Sequence, residues 1–260
     1  RSYSVTGVQT CALPISLADC DAEEPNDMVF FNGDLTKTLS VTQKVPVINE
    51  ILCMYCGKCQ EYCNYNAIFL LPDSKMIRVF DDLCHGCGAC TVACKHNAIT
   101  EKEVLLGQVS SYQIASNSRV VEAKMKVGVY SPVSVIKEAI KLAGDEGIVL
   151  FDSPPGTSCP FIQTVAQADF VVLVTEPTPF GLSDLKQSVE TLKTMQKPCG
   201  VIINRAGMGS HEVYVYLENE KIPLLMEIPF DKEIASLYSN GELLLGHKPN
   251  FRNQLISMFD

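Results

Sequence analysis

The sequence predicts an α/β protein, a doubly wound parallel sheet interrupted by a small cysteine-rich module. Three observations carry this expectation. From residue 147 onward, short apolar runs alternate with amphipathic segments, the pattern of strands buried between two helical layers. Eight of the twelve cysteines crowd into residues 53–94, a composition unlike the rest of the chain. At 260 residues, 47% of them hydrophobic, the chain is long enough for a substantial core and two domains.

The chain opens on RSYSVTGVQTCALPIS. Residues 1–16 read as a translated sequencing-library adapter, in frame from Val5 through Ile15, against the alternative of an unusual N-terminal strand and loop. On the adapter reading Cys11 is no ligand and the natural N-terminus has been replaced. Residues 17–21 then read as the end of a buried strand, which delivers Asp19 and Asp21 into the loop AEEPND. Acidic residues at a strand's C-terminal end are where open α/β sheets place ligand chemistry, and ordinary turn chemistry is the competing reading.

Beyond the cysteines, residues 104–115 and 119–127 read as an antiparallel strand pair. A helix follows, with Ser131 as N-cap, Pro132 at the first helical position, Ile136 and Ile140 on one face and Gly144 at the stop. Residues 147–152, 170–175, 200–204 and 223–228 are apolar runs expected to be strands buried on both faces. Between the middle two, Leu185, Val189 and Leu192 recur at helical spacing.

The cysteines form two sets, Cys53, Cys56, Cys59, Cys63 and Cys84, Cys87, Cys90, Cys94, each spaced Cys-x-x-Cys-x-x-Cys-x-x-x-Cys. The second repeats the first at an offset of thirty-one residues (84 − 53 = 31), and the match extends to Gly57 and Gly88 and to Asn66-Ala67-Ile68 and Asn97-Ala98-Ile99. Internal duplication is the simplest explanation. A cubane 4Fe-4S cluster needs four thiolates around a compact body. A tight loop with a cysteine at every third position wraps three irons, and the fourth ligand comes from elsewhere. Structural zinc prefers two separated Cys-x-x-Cys pairs, and disulfides suit a secreted framework rather than this spacing. The stretch resembles the two-cluster bacterial ferredoxins, in which the fourth cysteine of each run ligates the other cluster. That resemblance implies Cys53, Cys56, Cys59 and Cys94 on one cluster and Cys84, Cys87, Cys90 and Cys63 on the other. The proline that usually follows the fourth cysteine is replaced by Asn64 and Lys95.

The net charge of −9 argues against nucleic acid or an anionic membrane as partner, and no apolar run is long enough for a membrane span. Clusters and free thiols point to a reducing cytoplasm. His85, His96, His211 and His247 form no metal-ligand spacing and read as surface or packing residues.

Outside the cysteines the strongest signal is GIVLFDSPPGTSCP, a strand ending in Asp152 followed by Ser-Pro-Pro-Gly. An Asp so placed can hold the water shell of Mg²⁺, and Gly156 lets a backbone N–H approach a terminal phosphate. LADCDAEEPN, LFDSPPGTSCP, VTEPTPFGLSDL and VIINRAG, in this order around the cysteine insert, resemble the MinD-type P-loop ATPases with an inserted ferredoxin domain. These are relatives of the nitrogenase iron protein and the iron–sulfur carrier ATPases. The resemblance runs from Leu17 to the C-terminus. It implies a P-loop NTPase domain at 17–48 and 103–260, with an α+β ferredoxin domain at 49–102 (cluster motifs at about 49–72 and 75–102).

By the same resemblance Asp21 orients the attacking water, Asp152 is the Walker B acid of the Mg²⁺ shell and Gly156 senses the γ-phosphate. Asn204 reads the adenine edge and Pro229 packs against the base. The implied cofactors are two 4Fe-4S clusters, with ATP and Mg²⁺ in the full-length family member. The implied partners are a second copy, through the NTPase domain, and an unidentified redox protein.

One departure matters. The glycine-rich loop with two lysines and a Ser/Thr, with which these ATPases begin, has no counterpart here; GELLLGHK, residues 241–248, lacks the Lys-Ser/Thr ending. ATP hydrolysis is therefore expected of the full-length family member and not of this chain, and loss of the loop's strand is expected to open the middle of the sheet and expose unpaired edges. Two functions remain open: a nucleotide-dependent redox or metallocluster protein, and a ferredoxin-type electron carrier whose NTPase-like domain is a docking scaffold. A cluster-transfer scaffold is a third, favoured only if Cys159 binds a cluster bridging two subunits. Cys20 and Cys199, with Cys159 on the alternative reading, are buried free thiols.

Overall fold

The computed structural model describes residues 14–259, so Cys11 and most of the adapter-like stretch lie outside it. In chain order, β1 (Ile15–Asp19) and β2 (Asp34–Ile48) lead into the insert, which contains α1 (Lys58–Glu61), β3 (Ile68–Leu71), β4 (Met76–Val79) and α2 (Ala89–Ala93). The chain returns through β5 (Ile99–Ala115) and β6 (Ser118–Met125) to α3 (Val133–Ala143) and β7 (Ile148–Asp152). Then follow α4 (Cys159–Val165), β8 (Val171–Thr175), α5 (Pro179–Thr194), β9 (Cys199–Ala206), α6 (Glu212–Glu220), β10 (Leu224–Pro229), α7 (Lys232–Ser239), α8 (Leu244–His247) and α9 (Pro249–Phe259).

The strands form a mixed sheet of order β2-β5-β6-β1-β7 and a parallel sheet of order β10-β9-β8. β1 lies parallel between β6 and β7, whereas β2, β5 and β6 run antiparallel. β1 begins at Ile15, inside the adapter-like stretch: Ser16 is buried and its Oγ accepts a 2.9 Å hydrogen bond from Arg119. It also ends at Asp19, so Asp21 sits in the following turn rather than on the strand.

The apolar face of α3, with Val135, Ile136, Ala139 and Ala143, packs on Ala18, Val109, Val121 and Ala123 of the five-stranded sheet. This helix starts one residue later than the sequence indicates. Pro132 occupies the N-cap, and Ser131 Oγ accepts from Val133 N–H at 3.4 Å. Gly144 ends it at φ 73°, a conformation that strains residues carrying a Cβ. The second core joins Leu185, Val189 and Leu192 of α5 to Leu173, Val201 and Ile203. α4 links the two cores, since it packs beside α3 of the first while its Phe161 and Val165 belong to the second.

Among the described residues the two sheets are not paired with each other, and β7 and β8 are each an edge strand. Their side chains alternate between covered and exposed, contrary to the expected burial on both faces; only β9 has a run buried on both sides. An apolar run records what a strand can bury, and an edge strand lacks the neighbour that would cover it.

Candidate metal centres

The β2–β5 ribbon runs beyond the sheet, in register as far as Ile48 opposite Ile99, and carries the insert at its end. The structure gathers the eight cysteines around two cavities. Cys53, Cys56, Cys59 and Cys94 line one, here site I. Cys84, Cys87, Cys90 and Cys63 line the other, site II.

The duplication is visible in the backbone. Tyr55 and Gly86, Gly57 and Gly88, and Asn66 and Asn97 all adopt positive φ at equivalent positions. These left-handed turns aim N–H groups inward: Tyr55 N–H donates to Cys53 Sγ at 3.4 Å and Gly86 N–H to Cys84 Sγ at 3.4 Å. Ala67 N–H donates to Cys63 Sγ at 3.3 Å and Ala98 N–H to Cys94 Sγ at 3.4 Å. Such bonds favour thiolate over thiol. Burial pushes the thiols of Cys59, Cys84 and Cys90 the other way, upward, a cost that a bound cation would offset. The donor set fits an iron–sulfur cluster: four thiols per cavity, supplied with backbone N–H donors.

A third cluster of groups lies at the C-terminal ends of β1 and β7. One carboxylate oxygen each from Asp19, Asp27 and Asp152 come within 4.8 Å of one another. The turn after β1 is folded around Asp19, whose Oδ1 accepts from Asp21 N–H at 3.2 Å and whose Oδ2 accepts from Asn26 and Asp27 N–H at 2.9 and 3.1 Å. Burial nevertheless raises Asp19 to about 6, the three N–H bonds opposing it and the Asp152 charge assisting. Asp27 rises to about 7, through burial and then the charges of Asp152 and Asp19. Asp152 is raised as well, by desolvation and by the charge of Asp21. Asp27 Oδ2 is buried without a hydrogen-bond partner. Three converging carboxyls with an orphaned oxygen suit a hard divalent cation with oxygen ligands.

Asp21 is near enough to act on Asp152 but is not one of the three. Gly156 has φ 87° and open space around it, so its backbone is accessible. Asn204 and Pro229 lie on the second sheet, at the adjacent ends of β9 and β10, where Ile228 pairs with Asn204 and Pro229 with Ala206. Asn204 Oδ1 accepts from Arg205 N–H at 2.9 Å. Lys248, at the end of the GELLLGHK stretch, is engaged by Asp231 and Glu233 at 2.8 and 2.6 Å. Cys159 is exposed at the start of α4, while Cys20 is buried with its thiol pushed up to about 12.

A 4Fe-4S dicluster domain family matches residues 45–95. An uncharacterized protein of Methanocaldococcus jannaschii is 31% identical over 247 residues, covering 92% of this chain and 83% of the relative. A second uncharacterized protein of that organism is 31% identical over 231 residues, 87% of this chain and 77% of its own length. The chain belongs to their family. Among solved structures, the fold is similar to the septum site-determining protein MinD complexed with Mg-ADP from Pyrococcus horikoshii. That match has a TM-score of 0.50 and 19% identity, over 92% of this chain and 77% of that one. A ParA family ATPase from Chlorobium tepidum matches at TM-score 0.51 and 12% identity, over 93% and 81%. This family member thus combines a MinD/ParA-like P-loop NTPase fold with a ferredoxin-type 4Fe-4S dicluster domain.

In this iron–sulfur MinD/ParA-like chain, two features escaped the sequence reading. Asp27 joins the acidic pocket only because the turn after β1 closes on Asp19, and no spacing rule marks it. His85 does not sit alone: its ring stacks on Tyr65 at 3.8 Å and meets the edge of Tyr130 at 6.4 Å.

Proposed function

We propose that this chain is a two-cluster iron–sulfur protein, with Cys53, Cys56, Cys59 and Cys94 holding one 4Fe-4S cluster and Cys84, Cys87, Cys90 and Cys63 the other. In the full-length family member, nucleotide state is coupled to electron transfer or metallocluster handling. The observation that carries the reading is the exchange of the fourth cysteine: Cys94 lines site I and Cys63 lines site II. Each cluster, when bound, supplies a one-electron carrier. The chain's own part is to position the sulfurs and supply N–H donors to those of Cys53, Cys63, Cys84 and Cys94.

Asp19, Asp27 and Asp152 would hold Mg²⁺, supported by the orphaned Asp27 Oδ2. Around it Asp21 would orient water, Gly156 N–H would approach a terminal phosphate, and Asn204 and Pro229 would border the base. No glycine-rich phosphate loop occurs among the described residues, so no hydrolytic step is assigned to this chain. In the full-length family member, switch segments held by the γ-phosphate and released after hydrolysis would link the nucleotide to the clusters, and a pair of copies would close through the NTPase domain. A second reading is an electron carrier whose α/β half docks its redox partner. Iron–sulfur clusters and free thiols suit a reducing cytoplasm, and among the described residues no helix is long and apolar enough to cross a membrane.

The test is anaerobic expression with iron and acid-labile sulfide counted per chain. About eight irons are expected, and Cys94→Ser or Cys63→Ser should each lower the count to about four. Zinc in place of iron, or a full count in both variants, overturns the assignment. Hydrolysis of ATP by a version extended upstream with a glycine-rich strand–loop–helix separates the two readings, because the docking scaffold predicts none.

A further inference from the structure

The two cluster sites are built from duplicated sequence but have different surroundings. Site I is lined by Ile48 and Ile99, partners at the far end of the β2–β5 ribbon. Site II is lined by Lys44, Pro46 and Glu101, with Pro46 opposite Glu101. It therefore lies two residues nearer the sheet, roughly 7 Å along the ribbon.

Two equivalent positions differ as well. Tyr65 corresponds to His96 (65 + 31 = 96) and His85 to Met54 (85 − 31 = 54). At site II both positions carry rings, which stack with centroids 3.8 Å apart and planes 11° apart. At site I one of the two is Met54, which carries no ring; Met54, Tyr65 and His85 are all exposed.

Site II is also fastened to the α/β half. Gln43 Nε2 donates to the carbonyl of Cys84 at 2.8 Å, and a Cβ on Gly86 would meet Lys44 O at 3.0 Å. The edge of Tyr130 meets His85, with planes 62° apart. Tyr130 lies between β6 and α3, in a loop whose start is pinned. Met125 N–H donates to Ala22 O at 2.8 Å, and Lys126 N–H donates to Leu106 O at 2.8 Å. Ala22 belongs to the turn that carries Asp19 and Asp27.

We propose that Tyr130 is a positioning residue for site II: its ring holds the Tyr65–His85 stack over the loop bearing Cys84 and Cys87, so that the environment of this one cluster depends on the α/β half. The inference rests on the reading that both sites hold clusters. Cluster potentials respond to solvent exposure and to hydrogen bonds at sulfur. Reduction adds negative charge, which water stabilises, so loosening the stack raises the potential at site II and leaves site I alone.

The experiment compares wild type, Tyr130→Ala and Tyr130→Phe, each with its clusters. It combines redox titration followed by electron paramagnetic resonance with amide hydrogen exchange. Tyr130→Ala should move one of two midpoint potentials upward and speed exchange over residues 84–88 but not 53–57. Tyr130→Phe, which keeps the ring, should restore both. Unchanged potentials, a common shift of both clusters, or faster exchange at 53–57 overturns the proposal. A wild type with about eight irons and an inert Tyr130→Ala condemns this inference alone. A chain that binds no iron removes the reading beneath it and the inference too.

Discussion

Asp27 carries a carboxylate oxygen that is buried and accepts no hydrogen bond, beside two other carboxyls. Its pKa lies at about 7 and that of Asp19 at about 6, both above the ordinary aspartate value of 3.8, because burial and then the neighbouring carboxylate charges disfavour the ionised forms. The folded chain therefore keeps protons that the unfolded chain has already released. By linkage, stability falls as pH rises from about 4 to about 7 and stays low above that window. Asp27→Asn removes one charge from the pocket. It should stabilise the chain at pH 8 by on the order of 1 kcal/mol, with the gain fading toward pH 4. A divalent cation acts in the same direction, so Mg²⁺ should raise the Tm of wild type at pH 8, and do so far less at pH 5 or in the variant. Thermal denaturation across pH, with and without Mg²⁺, checks this; a cation effect equal in both proteins would show that Asp27 is no ligand. Asp27 was not legible from sequence because its role comes from loop closure onto Asp19. The cysteines were legible because their spacing is local, chemically specific and duplicated.

At the scale of elements, the apolar runs that became β7 to β10 could be found in the sequence, since alternation with helices depends on neighbouring residues. Whether each strand would be covered could not, because coverage depends on neighbours distant in the chain. Among the described residues β7 and β8 each present an unpaired edge, with Ile148 and Leu150 on one and Val172 and Val174 on the other exposed. An apolar, unpaired strand edge is a template for pairing with another chain. Val174 is 64% exposed, so Val174→Lys costs little packing while placing a charge on that edge. The variant should stay soluble at concentrations where the parent scatters light, with its Tm changed by no more than a degree or two. Equal scattering by the two would move the association surface elsewhere, and a large fall in Tm would mean that Val174 is packed.

Across the whole molecule, stability is unevenly distributed. The α/β half has two cores of many aliphatic side chains. The insert has a core cluster of Ile68, Cys90 and Ile99, and the groups packed against it include Cys59 and Cys94. Part of the insert's core is thus made of its own metal ligands. A module this small cannot offset its conformational entropy by apolar burial alone and needs a staple, which the clusters supply by binding the folded state only. Removing iron by chelation under oxidising conditions should therefore unfold the insert while the ribbon and the α/β half remain. Hydrogen exchange followed by mass spectrometry should show amides of residues 53–98 losing protection on iron loss. Those of β9 and of α5, which line the second core, should exchange as before. Protection in the insert that survived complete iron loss would mean that its few apolar side chains suffice. The cysteine rings would then be bound by a fold already formed, rather than being what holds it together.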